Sequence, residues 1–83
     1  MGLINHLIQQ VRALTAIPKC DHEEPAAQLL LTEIRAIGMT ADAFDGFEGM
    51  ERIHDAAEEE TGWRNEIGGA LNWIWDGIGE WRA

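Results

Sequence analysis

The chain has 83 residues and a formal net charge of −9, from 15 acidic and only 6 basic side chains. It contains no serine, no tyrosine and a single lysine, which excludes a serine nucleophile, a tyrosine acid and a Gly-Lys-Ser/Thr phosphate-binding loop. Thirteen of the acids lie between Asp21 and Glu66, so the negative charge forms a central band that disfavours direct nucleic-acid binding.

The length and the cysteine content indicate one small cytoplasmic domain spanning residues 1–83. The single cysteine, Cys20, permits no intrachain disulfide, as is typical of the reducing cytosol. Polar residues interrupt Met1–Ile17, so we expect no signal peptide. No apolar run reaches about 18 residues, so we expect no membrane span.

Apolar residues at spacings of three and four predict a first helix over residues 2–16, which Pro18 ends. A second helix is predicted from Glu24, with Pro25 at its first helical position, where the missing N–H has no cost. Gly38 is expected to end this helix as a left-handed cap residue. The two helices are predicted to pair antiparallel across a short connection.

Residues 39–47 leave two alternatives open. The alternation around residues 39–45 permits a short irregular strand, although a single strand has nothing to pair with. The other interpretation is a loop that carries Phe44 and Phe47 into the core. Beyond it we predict a helix over residues 49–60 that ends at Gly62.

The last segment is predicted to be helical from Trp63 and to break near Asp76–Gly79, because each interior glycine costs about 1 kcal/mol relative to alanine. The fold class is therefore mainly α, a small bundle of three to four helices, with at most the one short strand.

Residues 7–46 resemble the opening of the zinc aminoacylase and carboxypeptidase family. The resemblance rests on five features of this sequence: Leu14, Ile17-Pro18, the acids from Asp21 to Glu24, Pro25-Ala26-Ala27, and Ile34 to Gly38. It implies a helix–loop–helix that leads into a strand. The family's zinc-binding His-x-Asp segment has no counterpart here, so the resemblance implies no site residues.

The densest group of acids is predicted to be a partner-binding surface. It consists of Glu51, Asp55, Glu58, Glu59 and Glu60. Carboxylates accept bidentate arginine hydrogen bonds as phosphates do, so such a surface can occupy the phosphate site of a nucleic-acid-binding protein. The plainer interpretation is a solvated face that keeps the protein soluble.

Four tryptophans lie within nineteen residues and cannot share one helix stripe. We assign Trp63 and Trp81 to the core, because they share a stripe with apolar residues. Trp73 and Trp75 are predicted partner-contact residues, at least one of them exposed, since exposed tryptophan is enriched at interface hot spots. The alternative is a small core that needs large side chains to fill it.

We expect no catalytic residue, no metal and no cofactor, but one metal-binding alternative stays open. Glu51 and His54 have Glu-x-x-His spacing, and Glu58 lies one turn further along the helix. A dimer could combine two such sets into a metal centre. Cys20 beside His22 is a weaker signal, which we interpret as a linker cysteine.

The expected function is non-enzymatic. A small acidic protein of this kind binds, and inhibits or regulates, a macromolecule with a basic, nucleic-acid-binding surface. Its size and charge are typical of nucleic-acid mimics among phage or mobile-element inhibitors of host defence, such as anti-CRISPR and anti-restriction proteins. The alternatives are the dimeric metal-binding module and a structural or chaperone-like subunit. We expect no membrane partner, and a homodimer is open.

Overall fold

The computed structural model describes residues 2–18 and 21–81, so Cys20 lies outside the described residues. These ranges contain no strand and three helices. The helices are α1 (Gly2–Thr15), α2 (Pro25–Thr61) and α3 (Arg64–Ile74). A series of tight turns over residues 75–81 follows α3. The predicted mainly-α bundle is confirmed.

Helix α1 buries one apolar face and ends close to the predicted position. Its buried side chains are Leu7, Ile8, Val11 and Leu14. In the connection to α2, the His22 ring lies 3.1 Å from the carbonyl oxygen of Ile17 through Nε2. Gln28 of α2 donates to the His22 carbonyl oxygen at 2.8 Å, so this short connection is held to the start of α2.

Helix α2 begins at Pro25 as predicted but continues far beyond Gly38. Its helical geometry is interrupted only at Gly46, whose φ of 64° and ψ of −152° are available almost exclusively to glycine. This break divides α2 into a first segment (25–45) and a second segment (47–61). The predictions of a cap at Gly38 and of a strand around residues 39–45 are therefore wrong.

Gly38 serves close packing instead of helix termination. A Cβ atom at this position would lie 2.6 Å from Nε1 of the Trp75 indole. Trp75 is fully buried, and its Nε1 donates a 2.8 Å hydrogen bond to the carbonyl oxygen of Ile34. The absence of a side chain at Gly38 thus lets the indole rest directly on the α2 backbone.

Phe44 does not enter the core. Its side chain is 81% exposed, because the residues before Gly46 are helical and no loop folds the ring back. Phe47 is partly exposed and contacts the Trp81 ring, with a centroid distance of 5.4 Å. The loop that would bury both phenylalanines is therefore wrong for Phe44 and only partly right for Phe47.

The ends of α2 and α3 follow the predictions. Gly62 ends α2 with a left-handed φ of 73°, and its N–H donates to the Glu58 carbonyl oxygen at 2.7 Å. Helix α3 ends at Ile74, and Gly77 and Gly79 then adopt positive φ as the chain turns. No helix in the described ranges combines the length and apolarity that a membrane crossing requires.

We expect Gly38→Ala to lower the free energy of unfolding, because the new methyl group must displace the Trp75 indole at a cost of about 1–3 kcal/mol. The gain of about 1 kcal/mol that alanine brings to a helix offsets part of this cost. Urea denaturation, followed by the circular dichroism signal of the helices, measures the net change in the free energy of unfolding.

Gly69→Ala is the matched control, since nothing lies within 4 Å of a Cβ at that position of α3. It should raise the free energy of unfolding by about 0.5–1 kcal/mol. If Gly38→Ala stabilised the protein as Gly69→Ala does, the tight Trp75 contact would be refuted.

Candidate functional site

The second segment of α2 carries the predicted acidic surface. Residues 48–60 hold six acids and one arginine. Glu51, Asp55, Glu59 and Glu60 are exposed, whereas Glu58 is half-buried. Glu51, Asp55 and Glu59 repeat every four residues, a spacing that places side chains along one helix face. The structure thus brings the predicted acids onto a single helical segment.

A surface hollow of about 490 Å³ lies where α2 meets α3. Its lining consists of Asp55, Glu58, Glu59, Gly62 and Arg64, which we call the acidic hollow. The left-handed turn at Gly62 reverses the chain here and brings the start of α3 beside the last turns of α2. The hollow therefore combines three carboxylates with one guanidinium at its lining.

The arginines in the described ranges are mostly engaged away from this hollow. Arg52 pairs with Asp45 at 2.9 Å. Arg35 donates to the carbonyl oxygens at the end of α3, and Arg12 lies over the Trp63 ring at 5.0 Å from its centroid. The predicted partner-binding acids consequently have no arginine or lysine ion pair within residues 2–18 and 21–81.

His54 lies between two carboxylates at the edge of the hollow. Its Nδ1 is 3.0 Å from Oδ1 of Asp55, and its Nε2 is 3.4 Å from Oε2 of Glu58. An ionised carboxylate only accepts hydrogen bonds, so Nδ1 is the protonated donor to Asp55. The imidazole is mostly buried, with 16% of its side chain exposed, and its ring centroid lies 5.6 Å from that of Trp81.

Gly68 of α3 covers this histidine–glutamate pair closely. A Cβ at Gly68 would lie 3.1 Å from Oε2 of Glu58 and 3.7 Å from Nε2 of His54. The glycine therefore lets the α3 backbone approach both side chains without placing a side chain of its own against their polar atoms.

The metal-binding alternative named Glu51, His54 and Glu58, but the structure groups the residues differently. Among the described residues, the potential ligand atoms that lie within 4.8 Å of one another belong to His54, Asp55 and Glu58. Glu51 is exposed and is not part of this cluster. The metal hypothesis itself stays a prediction, with a different set of residues.

The tryptophans divide into core and surface. Trp75 and Trp81 are buried and meet edge to face, with centroids 5.1 Å apart. Trp63 is partly buried and packs against the core. Trp73 is 53% exposed and lines a shallow groove with side chains of the first segment of α2. Of the two predicted contact residues, only Trp73 presents its ring at the surface.

The acidic hollow and Trp73 lie apart on the molecule. Arg64 and Trp73 are nine residues apart on α3, which corresponds to about 14 Å along the helix axis. Trp73 faces Leu31 and Thr32 of the first segment, whereas the hollow is built on the second segment. The structure does not combine the acids and Trp73 into one continuous patch.

Sequence reasoning missed two features of the structure. The Phe44 ring is exposed on the first segment of α2, and its signal was the neighbouring acid-rich stretch, which disfavours burial. The close approach of Gly68 to His54 was also missed, because Gly68 and Gly69 are alike in sequence and only the structure shows that Gly68 lies near other side chains.

Comparisons of the chain with protein-family models, with curated proteins and with solved structures give no match. Function is therefore inferred from the side chains and their geometry.

The two neighbouring tryptophans should respond differently to removal. Trp75→Ala is expected to cost about 3–5 kcal/mol of unfolding free energy, because it empties a fully buried site and removes the hydrogen bond to Ile34. Trp73→Ala should cost about 1 kcal/mol or less, since half of the ring is already in water. Thermal and urea denaturation measure the difference, and equal losses would contradict the assigned burial.

Proposed function

We propose that this protein is a non-enzymatic binding protein whose acidic helical face recognises a basic surface on a macromolecular partner. The observation that supports this proposal best is the set of acids on the second segment of α2 that lack arginine or lysine partners within the described residues. A fold that needed these charges for its own stability would pair them with arginine, whereas Arg12, Arg35 and Arg52 contact other groups.

The electrostatics favour a nucleic-acid-binding partner. Carboxylates spaced along a helix present acceptor oxygens to arginine and lysine as a phosphate backbone does. A concentrated negative field also accelerates encounter with a basic protein and weakens as salt increases. We accordingly assign the chain to the nucleic-acid mimics, in the manner of phage or mobile-element inhibitors of defence and nucleic-acid enzymes.

Packing of the acidic segment against α3 supports the same proposal. The acidic segment ends in a capped turn at Gly62 and is held to α3 by buried apolar side chains, so its carboxylates are displayed on an ordered scaffold. An ordered surface loses less conformational entropy on binding than a flexible acidic tail does. Trp73, which lies apart from the hollow, would be a second contact for a partner large enough to reach it.

The test is an affinity capture of tagged protein from host lysate at low and high salt, with identification of the bound proteins and measurement of their affinity. The variant Glu58→Gln/Glu59→Gln/Glu60→Gln should bind the captured basic protein about tenfold more weakly or worse at low salt, a loss of ~1.4 kcal/mol or more.

The matched control is Asp21→Asn/Glu23→Gln/Glu24→Gln, which removes the same three charges from exposed positions outside the second segment of α2. It should retain the affinity to within about threefold, because only the long-range field changes. Equal losses of affinity in both variants would show that only the overall charge matters, and would contradict a binding site on the second segment of α2. Binding that does not respond to salt would refute the electrostatic proposal.

A further inference from the structure

We propose that Nε2 of His54 and Oε2 of Glu58 form a two-point binding site for a divalent transition-metal ion of the zinc type, with Asp55 as the residue that positions the imidazole. This inference is separate from partner binding, because it requires only the metal ion and this chain. It also differs from the Glu51-based motif, which the structure does not assemble.

The separation of the two ligand atoms carries the proposal. Nε2 and Oε2 are 3.4 Å apart, longer than the ~2.9–3.0 Å that is usual for an N–H···O hydrogen bond. Two ligands at about 2.1 Å from a tetrahedral zinc ion are about 3.4 Å apart, because they subtend about 109° at the metal. The observed spacing thus suits a shared cation better than a shared proton.

Asp55 accepts a hydrogen bond from the ring nitrogen of His54 that would not bind the metal, as carboxylates beside zinc-bound histidines do. Nδ1 of His54 donates to Asp55 at 3.0 Å, which fixes the tautomer and directs the lone pair of Nε2 toward Glu58. Such carboxylate–histidine pairs orient the ring and raise its basicity toward the metal. Without a proton or a cation between them, the Nε2 lone pair and the Glu58 carboxylate would repel each other.

The absence of a side chain at Gly68 favours an ion at this place. A Cβ at Gly68 would lie close to both ligand atoms, 3.1 Å from Oε2 of Glu58 and 3.7 Å from Nε2 of His54. The acidic hollow adjoins Glu58 and gives water access to the remaining coordination positions.

The experiment is a titration of the full chain with Zn²⁺ in competition with a chelating indicator. Every protein carries Cys20→Ser, because a thiol binds zinc independently of this site. We expect one zinc ion per chain, an affinity reduced about tenfold or more by His54→Ala and by Glu58→Gln, and a 10–100-fold reduction by Asp55→Asn. Gly68→Ala should also weaken binding, whereas Gly69→Ala should not.

The controls separate this site from adventitious binding. His6→Ala removes a surface histidine that lies 3.9 Å from Glu33, and Glu59→Gln removes a neighbouring carboxylate; each should change the affinity less than about threefold. Circular dichroism checks that each variant is folded. Zinc binding that persists in both His54→Ala and Glu58→Gln, or no zinc binding at all, would overturn the proposal.

Nitrogen NMR of the histidine rings gives a second readout that does not depend on a substitution. Zinc should shift the Nε2 resonance of His54 and leave its Nδ1 protonated. Zinc bound through Nδ1 with the proton on Nε2, or an unperturbed His54 ring in the zinc-loaded protein, would also contradict the site.

Discussion

The contact between the Trp75 indole and the α2 backbone at Gly38 fixes the position of the C-terminal third of the chain. The indole is fully buried, and its N–H is satisfied by the Ile34 carbonyl oxygen. Arg35, the next residue, donates to the Ile74 carbonyl oxygen and so holds the end of α3 to the same place. With this end of α3 anchored, the middle of the helix places Gly68 beside His54 and Glu58 of the second segment of α2.

This anchoring shows why the sequence predicts helix boundaries correctly but does not predict contacts between distant residues. Pro18, Pro25 and Gly62 act on their own backbone, and the helix boundaries they predict agree with the structure within a residue or two. Glycine is the residue expected at a helix cap, but Gly38 is needed because the distant Trp75 indole packs against it. No local sequence pattern reveals this contact. The loop alternative for residues 39–47 placed Phe44 in the core, because hydrophobicity alone does not tell where a helix has neighbours.

The same contrast between local sequence patterns and tertiary contacts applies to the candidate site. The acids of the second segment are close in sequence, so helical spacing alone predicts that they share a surface. The missing arginine partners are a tertiary property, because they depend on where Arg35 and Arg12 find other contacts. Helical spacing offers His54 both Glu51 and Glu58 as neighbours, and the structure sets Glu58 beside its Nε2, under Gly68.

The central claim is that a basic partner contacts the second segment of α2. Hydrogen–deuterium exchange of the free chain, and of its complex with the basic protein it captures, tests this claim directly because it maps the contact along the sequence. The account predicts that protection gained on binding is concentrated in residues 51–64. Protection confined to α1 or to the first segment of α2, with residues 51–64 unchanged, would contradict it.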